Sequence, residues 1–235
     1  MAKKSGQPPL DLRDRIVDTV VELAEEVGWE NLRLRKVADR LGVPLTTVLE
    51  TFRDIDAVTD AWFARALTSM LRPPEAGFEA LSARERAQAV LMRWFDAQAA
   101  HRRVVGEMLG AKLYPSHPHH WVPMIFSLSR LIQWVREAAL LDAGGRRRQM
   151  EEAGLTWVFL QTLRVWLRDG TPGQAYARRF LDRRLAWLNR LDQRCREQRT
   201  KPDEPEAEPA APRRAAAPRG SSRRIDVTSR EHRDP

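Results

Sequence analysis

The stretch "ADRLGVPLTTVLETF", residues 38–52, decides the fold. Ala38 and Leu41 close one run of helical period, Gly42, Val43 and Pro44 make a turn, and Val48 and Phe52 stand four apart on a second short run. Gly suits the left-handed stop of a helix and Pro the start of the next, so the pattern predicts helix, tight turn, helix. This is the spacing of a helix-turn-helix, and it raises DNA binding as a function.

Upstream, "LRLRKVADRL" predicts a helix with Leu34, Val37, Ala38 and Leu41 inward. Before it, Leu10 to Val27 carries Ile16, Val20, Leu23, Ala24 and Val27 on one stripe, with Gly28 as its stop. Downstream, Asp54 is an N-cap for a helix striped by Ile55, Val58, Trp62, Ala66 and Met70. "RPPEAG" then breaks the pattern and marks a boundary near residues 72–80.

The second half is also helical in period, with no strand-like alternation, so the expected class is all-α. Ser82 and Glu85 form a capping box for one helix over "ARERAQAVLMRWFDAQAAHRR". A short apolar helix or turn at "VVGEMLGAKL" and a break at "YPSHPHHWVP" follow. Two long helices come next, "MIFSLSRLIQWVREAALL" and "RRQMEEAGLTWVFLQTLRVWLRD", the latter apolar on more than one face. Thr171, Pro172 and Gln174 supply cap, N1 proline and N3 partner for a last helix ending near Arg199. The expected organisation is a disordered start at 1–9, a helix-turn-helix unit at 10–71, a helical domain at 82–199 and a disordered tail at 200–235, rich in Pro, Ala and charge.

At 235 residues the chain is long enough to bury a proper core. The single Cys195 excludes an internal disulfide, and "MAKKSGQPPLDLRD" lacks a signal-type apolar run, so the expected compartment is the cytoplasm. The net charge of +8 is unevenly placed. Residues 1–70 carry 10 Lys/Arg against 12 Asp/Glu, whereas residues 71–200 carry 22 against 13. The basic excess therefore lies outside the helix-turn-helix. No nucleophile–base pairing, Gly-rich phosphate loop or paired-carboxylate motif is present, so the expectation is no enzyme, no catalytic residue, no cofactor and no metal.

The order of elements resembles the TetR family of transcriptional regulators, most closely over Asp14 to Leu67, where "ELAEEVGWENLRLRKVADRLGVPLTTVLETF" follows the family's helix, Gly-aromatic, helix, Gly-Val turn and helix. That resemblance implies an all-α dimer with an N-terminal three-helix DNA-binding unit and a C-terminal ligand-binding and dimerisation domain. It implies a double-stranded DNA operator and a small apolar effector as partners. Carried over, Pro44, Leu45, Thr46, Thr47, Leu49, Glu50 and Thr51 lie on the recognition helix, and Arg33 stands where a phosphate-binding Thr is usual. The chain departs from the pattern at Leu49 for a phosphate-contacting Tyr, Thr51 for His, Ile55 for Lys, and the acidic Glu50. Two lost phosphate contacts predict weak nonspecific binding. "EAGLTWVFLQTLRVWLRD" and "ARRFLDRRLAWL" also resemble the ubiquinone-biosynthesis accessory proteins, which share the architecture but bind lipid. The second reading is thus a lipid-binding, peripherally membrane-associated protein with a relic helix-turn-helix.

Arg33, Arg35, Lys36, Arg40 and Arg53 form either a positive edge for phosphates or a solvated face paired with Glu30, Asp39 and Asp54. Trp94, Trp121, Trp134 and Trp157 are candidates for an apolar effector pocket, or ordinary core. His101, His117, His119 and His120 lack the spacing and extra donor of a metal site. Leu163, Trp166, Leu181, Leu185 and Leu188 are the candidate dimer stripe, in the role that the resemblance gives the last two helices. The last helix, apolar on one side and Arg-rich on the other, equally suits an anionic membrane surface.

Overall fold

The first helix of the computed structural model, α1 (Leu12–Val27), buries Ile16, Val17, Val20, Val21, Leu23 and Ala24, which occupy two adjoining faces rather than one. The structure describes residues 11–113 and 118–200, without the side chains of 118–124 and 195–200. Segment 1–9, the tail beyond Thr200, His117 and the side chains of His119, His120, Trp121 and Cys195 lie outside the described residues.

One face of α1 packs with α2 (Leu34–Leu41), α3 (Leu45–Thr51) and the first half of α4 (Ile55–Met70) around Val37, Ala38, Val48, Phe52 and Val58. The other, through Val21 and Ala24, meets Val104 and Met108 of α6 (Arg102–Lys112). The larger core joins the end of α4 to α5 (Ala83–Asp96), α7 (Pro118–Ala138), α8 (Gly145–Trp166) and α9 (Ala175–Thr200). At its centre Trp94 meets Phe95 and Phe159 edge-on, and Phe95 packs on Trp166. Helix α4 thus feeds both cores: Val58 lies in the first, Ala66 and Met70 in the second.

Several local signals act as expected. The Asp54 carboxylate accepts from Ala57 N at 2.7 Å and starts α4. Ser82 and Glu85 exchange their hydrogen bonds at the start of α5. Other expectations are corrected. The single helix expected over residues 83–103 is two, because buried Gln98 donates to Trp94 O and accepts from Trp62 Nε1, both at 3.2 Å, and so locks a bend after Asp96. The break at "YPSHPHHWVP" is shorter, since α7 already begins at Pro118, a favoured first helical residue.

The Thr171–Gln174 capping box does not form. Gln174 adopts a left-handed φ of 58° and turns its side chain to Trp166 Nε1 and Asp96. Thr171 still caps α9, its Oγ1 accepting from Tyr176 N at 3.0 Å, and Asp169 caps beside it, accepting from Thr171 N at 2.8 Å, Thr171 Oγ1 at 2.6 Å and Ala177 N at 2.8 Å. Burial pushes the Asp169 carboxyl up, but these hydrogen bonds and the Arg102 charge bring it net below its ordinary 3.8. Its folded pKa lies under the unfolded one, so its stabilisation is present above the unfolded value and is lost as pH falls through the folded value. Asp169→Ala is expected to cost about 3 kcal/mol in urea unfolding at neutral pH, and to flatten the stability loss below pH 4.

Candidate nucleic-acid interface

Gly42 takes the left-handed conformation, φ 67° and ψ 32°, and its N–H reaches back to Ala38 and Asp39 carbonyls. A side chain is strained there, which is why the turn between α2 and α3 needs glycine. Pro44 sits at the cap of α3 with φ −59°, and Thr47 N bonds to its carbonyl at 3.0 Å. Val48 and Phe52, buried in the α1–α2–α4 core, then fix which side of α3 faces out.

That outer side holds Leu45, Thr46, Leu49 and Glu50, all exposed. Thr47 and Thr51 are only half-exposed, and the Thr51 hydroxyl donates to Thr47 O at 2.9 Å, so it is turned to its own helix. The candidate reading set therefore divides: five side chains, Pro44 among them, face solvent, and Thr47 and Thr51 lie at the flank. Arg33, the residue before α2, makes no side-chain cap and folds back, its Nη1 donating to Glu30 O and Leu32 O at 2.8 Å.

The candidate positive edge divides too. Arg40 grips Glu26 through two hydrogen bonds at 2.6 and 2.8 Å, which hold the Glu26 carboxyl below its ordinary value against desolvation. Arg53 pairs with Asp54 at 2.9 Å. Arg35 and Lys36, exposed in the first turn of α2, make no ion pair among the described residues. Ile55 is half-buried against the three-helix core, so the usual cation is replaced by a packing group. Sequence reasoning missed Arg13, whose guanidinium lies 4.4 Å from the centre of the Phe52 ring and whose Nη1 reaches Thr51 O at 3.5 Å. No local signal links residues 38 apart.

A second group of contacts ties this unit to α6. Trp29 N donates to Glu107 Oε2 at 2.8 Å. Arg103 bonds to Glu25, to Glu107 and to the Ala24 and Glu25 carbonyls at the end of α1. Lys112 meets Asp60 at 3.0 Å on α4. These contacts join α6 to the end of α1, to Trp29 and to α4.

The candidate pocket residues are not brought together. Trp94 is inside the core, whereas Trp134 and Trp157 are 44% and 56% exposed on α7 and α8, and the Trp121 side chain lies outside the described residues. Two clefts, of about 450 and 510 Å³, lie where the 72–81 connection meets α5. Of the candidate dimer stripe, Trp166, Leu181 and Leu185 are buried and Leu163 and Leu188 pack on the same core. Leu188 fills the space beside Gly154, where helices α8 and α9 approach closely. A partner cannot reach buried groups, so the outward apolar residues are others: Met150, Trp157 and Leu160 on α8, and Tyr176 and Trp187 on α9. For the same reason the apolar stripe of α9 is taken up by its own chain rather than offered to a membrane. No helix among the described residues is long and apolar enough to cross one.

Among the solved structures that the chain is similar to are two TetR transcriptional regulators. A TetR transcriptional regulator from Nitrosomonas europaea is 41% identical, the match covering 76% of this chain and 98% of that one with a TM-score of 0.68. A TetR transcriptional regulator from Rhodococcus sp. RHA1 is 19% identical, covering 75% and 94% with a TM-score of 0.54, a likeness of fold. No family model and no curated protein matches.

Because Phe52 anchors α3 from beneath, Phe52→Ala is expected to cost about 3 kcal/mol by chemical denaturation. Leu49→Ala, on the exposed side, is expected to change stability by less than about 0.5 kcal/mol.

Proposed function

The chain belongs to the TetR family of transcriptional regulators, which are DNA-binding and non-enzymatic, and from that premise we propose that it is a homodimeric repressor released from its operator by a small apolar effector. The observation that carries this reading is the exposed side of α3, held outward by Val48 and Phe52 on a chain 41% identical to such a regulator over most of its length. Residues 10–71 would supply the DNA-facing unit and residues 82–199 the dimer and effector domain, with α4 shared between them.

Dimerisation supplies the second recognition helix. Met150, Trp157 and Leu160 stand at seven- and three-residue spacing on α8, beside the outward Trp187 of α9, and each of these is exposed in the single chain. A two-fold axis through this face makes an intermolecular four-helix bundle of α8 and α9. Two copies of α3 then meet half-sites one helical turn apart, about 34 Å, so the operator is a near-palindrome. Trp157→Glu is expected to give a folded monomer by light scattering. A dimer surviving that charge would move the interface elsewhere.

The effector reading is supported by the aromatic cluster Phe63, Trp94, Phe95 and Phe159, which offers apolar contact between α4, α5 and α8. A ligand that parts these rings displaces α6, and Arg103, Glu107 and Lys112 carry the shift to α1 and α4. The effector then favours the dimer state in which the α3 helices no longer match the groove spacing. DNA binding itself is tested by pull-down of genomic fragments with the purified protein. A palindromic site is expected to be enriched, and to be lost with Thr46→Ala plus Thr47→Ala. Absence of any site, together with a copurifying isoprenoid or phospholipid, counts against the regulator.

A further inference from the structure

Resting on the reading of α3 as the DNA-facing helix, we propose that this protein recognises its operator chiefly through thymine methyl groups, with Leu45 and Leu49 as the specificity-determining pair. Leu45 is 51% exposed and Leu49 61% exposed, one turn apart on the outer side of a helix whose opposite side is locked in the core. Side chains four apart on a helix lie about 5–6 Å from one another. One strand rises 3.4 Å per base, so the pair spans neighbouring base steps.

The rest of α3 narrows the alternatives. Its sequence, Leu45 to Thr51, contains no Lys, Arg, Asn or Gln. Guanine is read by two donors to O6 and N7, and adenine by a paired donor and acceptor, so neither bidentate contact is available from this helix. Glu50, exposed beside Leu49, only accepts, which matches the amino group of cytosine or adenine and opposes the O6 of guanine and the O4 of thymine. What α3 offers the major groove is therefore methyl contact, one Thr46 hydroxyl and one carboxylate acceptor. Affinity comes from elsewhere: Arg35 and Lys36, on the neighbouring helix α2 and in no ion pair among the described residues, bring the phosphates. An operator half-site with adjacent thymines and a cytosine or adenine opposite Glu50 fits this surface.

The test is selection of binding duplexes from a random-sequence library by the full-length protein, followed by replacement of each half-site thymine with uracil, which differs only by the methyl group. Loss of each contacted methyl is expected to weaken binding about fourfold, the effect of leaving one buried CH₂ in water. Leu45→Ala and Leu49→Ala are expected to bind thymine and uracil duplexes alike, with melting temperatures unchanged because both residues are exposed. If wild-type protein binds the uracil duplexes as tightly, or selects half-sites without thymine, methyl recognition is overturned while DNA binding stands. If no duplex is enriched, the DNA-facing reading of α3 fails and this proposal fails with it.

Discussion

The double burial of α1 is the constraint on which the rest of the molecule depends. Ile16, Val17 and Val20 supply the floor on which α2 and α3 lie, and Val21 and Ala24, on the next face round, meet Val104 and Met108 of α6. A helix apolar over one stripe could serve only one of these partners. Because α1 serves both, the position of α3 is set by packing that also touches the second half. The polar contacts lie along the same seam. Arg103 satisfies carbonyls at the end of α1, Glu107 holds Trp29 N, and Lys112 reaches Asp60 on α4. Buried apolar contact gives the joint its strength, and directional hydrogen bonds give it a defined geometry.

The second core shows how much a stripe leaves unsaid. Leu181, Leu185 and Leu188 follow the period of α9, and that pattern suits a dimer, a membrane surface or the chain's own interior. The structure places all three on the interior core, with Leu188 set against Gly154. The arginines of α9 are then left on the outside, among them Arg179, Arg183 and Arg190, with Trp187. The apolar residues available to a second chain are those that single-helix reasoning assigned to a pocket or overlooked. Trp157 is the clearest: by residue type it suits a core, but by position it faces water.

The candidate interface was legible in part. Val48 and Phe52 as anchors, the Gly42 turn and the outward Leu45 and Thr46 follow from residue types whose preferences act over four residues or fewer. The charges around them did not. Arg33, Arg35, Lys36, Arg40 and Arg53 look alike in sequence. Yet Arg40 is occupied by Glu26 fourteen residues away, Arg33 by its own backbone, and Arg35 and Lys36 by no ion pair among the described residues. A flexible cation takes whichever acceptor the fold brings within reach, and the list of acceptors is not local.

Sequence alone determined the all-α class, the helix-turn-helix, most helix starts and the core of the first three helices. These rest on period, turn residues and caps, which are properties of a few neighbouring residues. Only the tertiary structure decided that α1 has two packing partners, that Gln98 bends the chain after Asp96, that Asp169 joins Thr171 in capping α9, and that Trp157 faces out while Trp166 faces in. Each depends on which distant surface arrives first to cover an apolar face or satisfy a polar group. A helix dictates which of its residues share a face, but the neighbours dictate what that face meets.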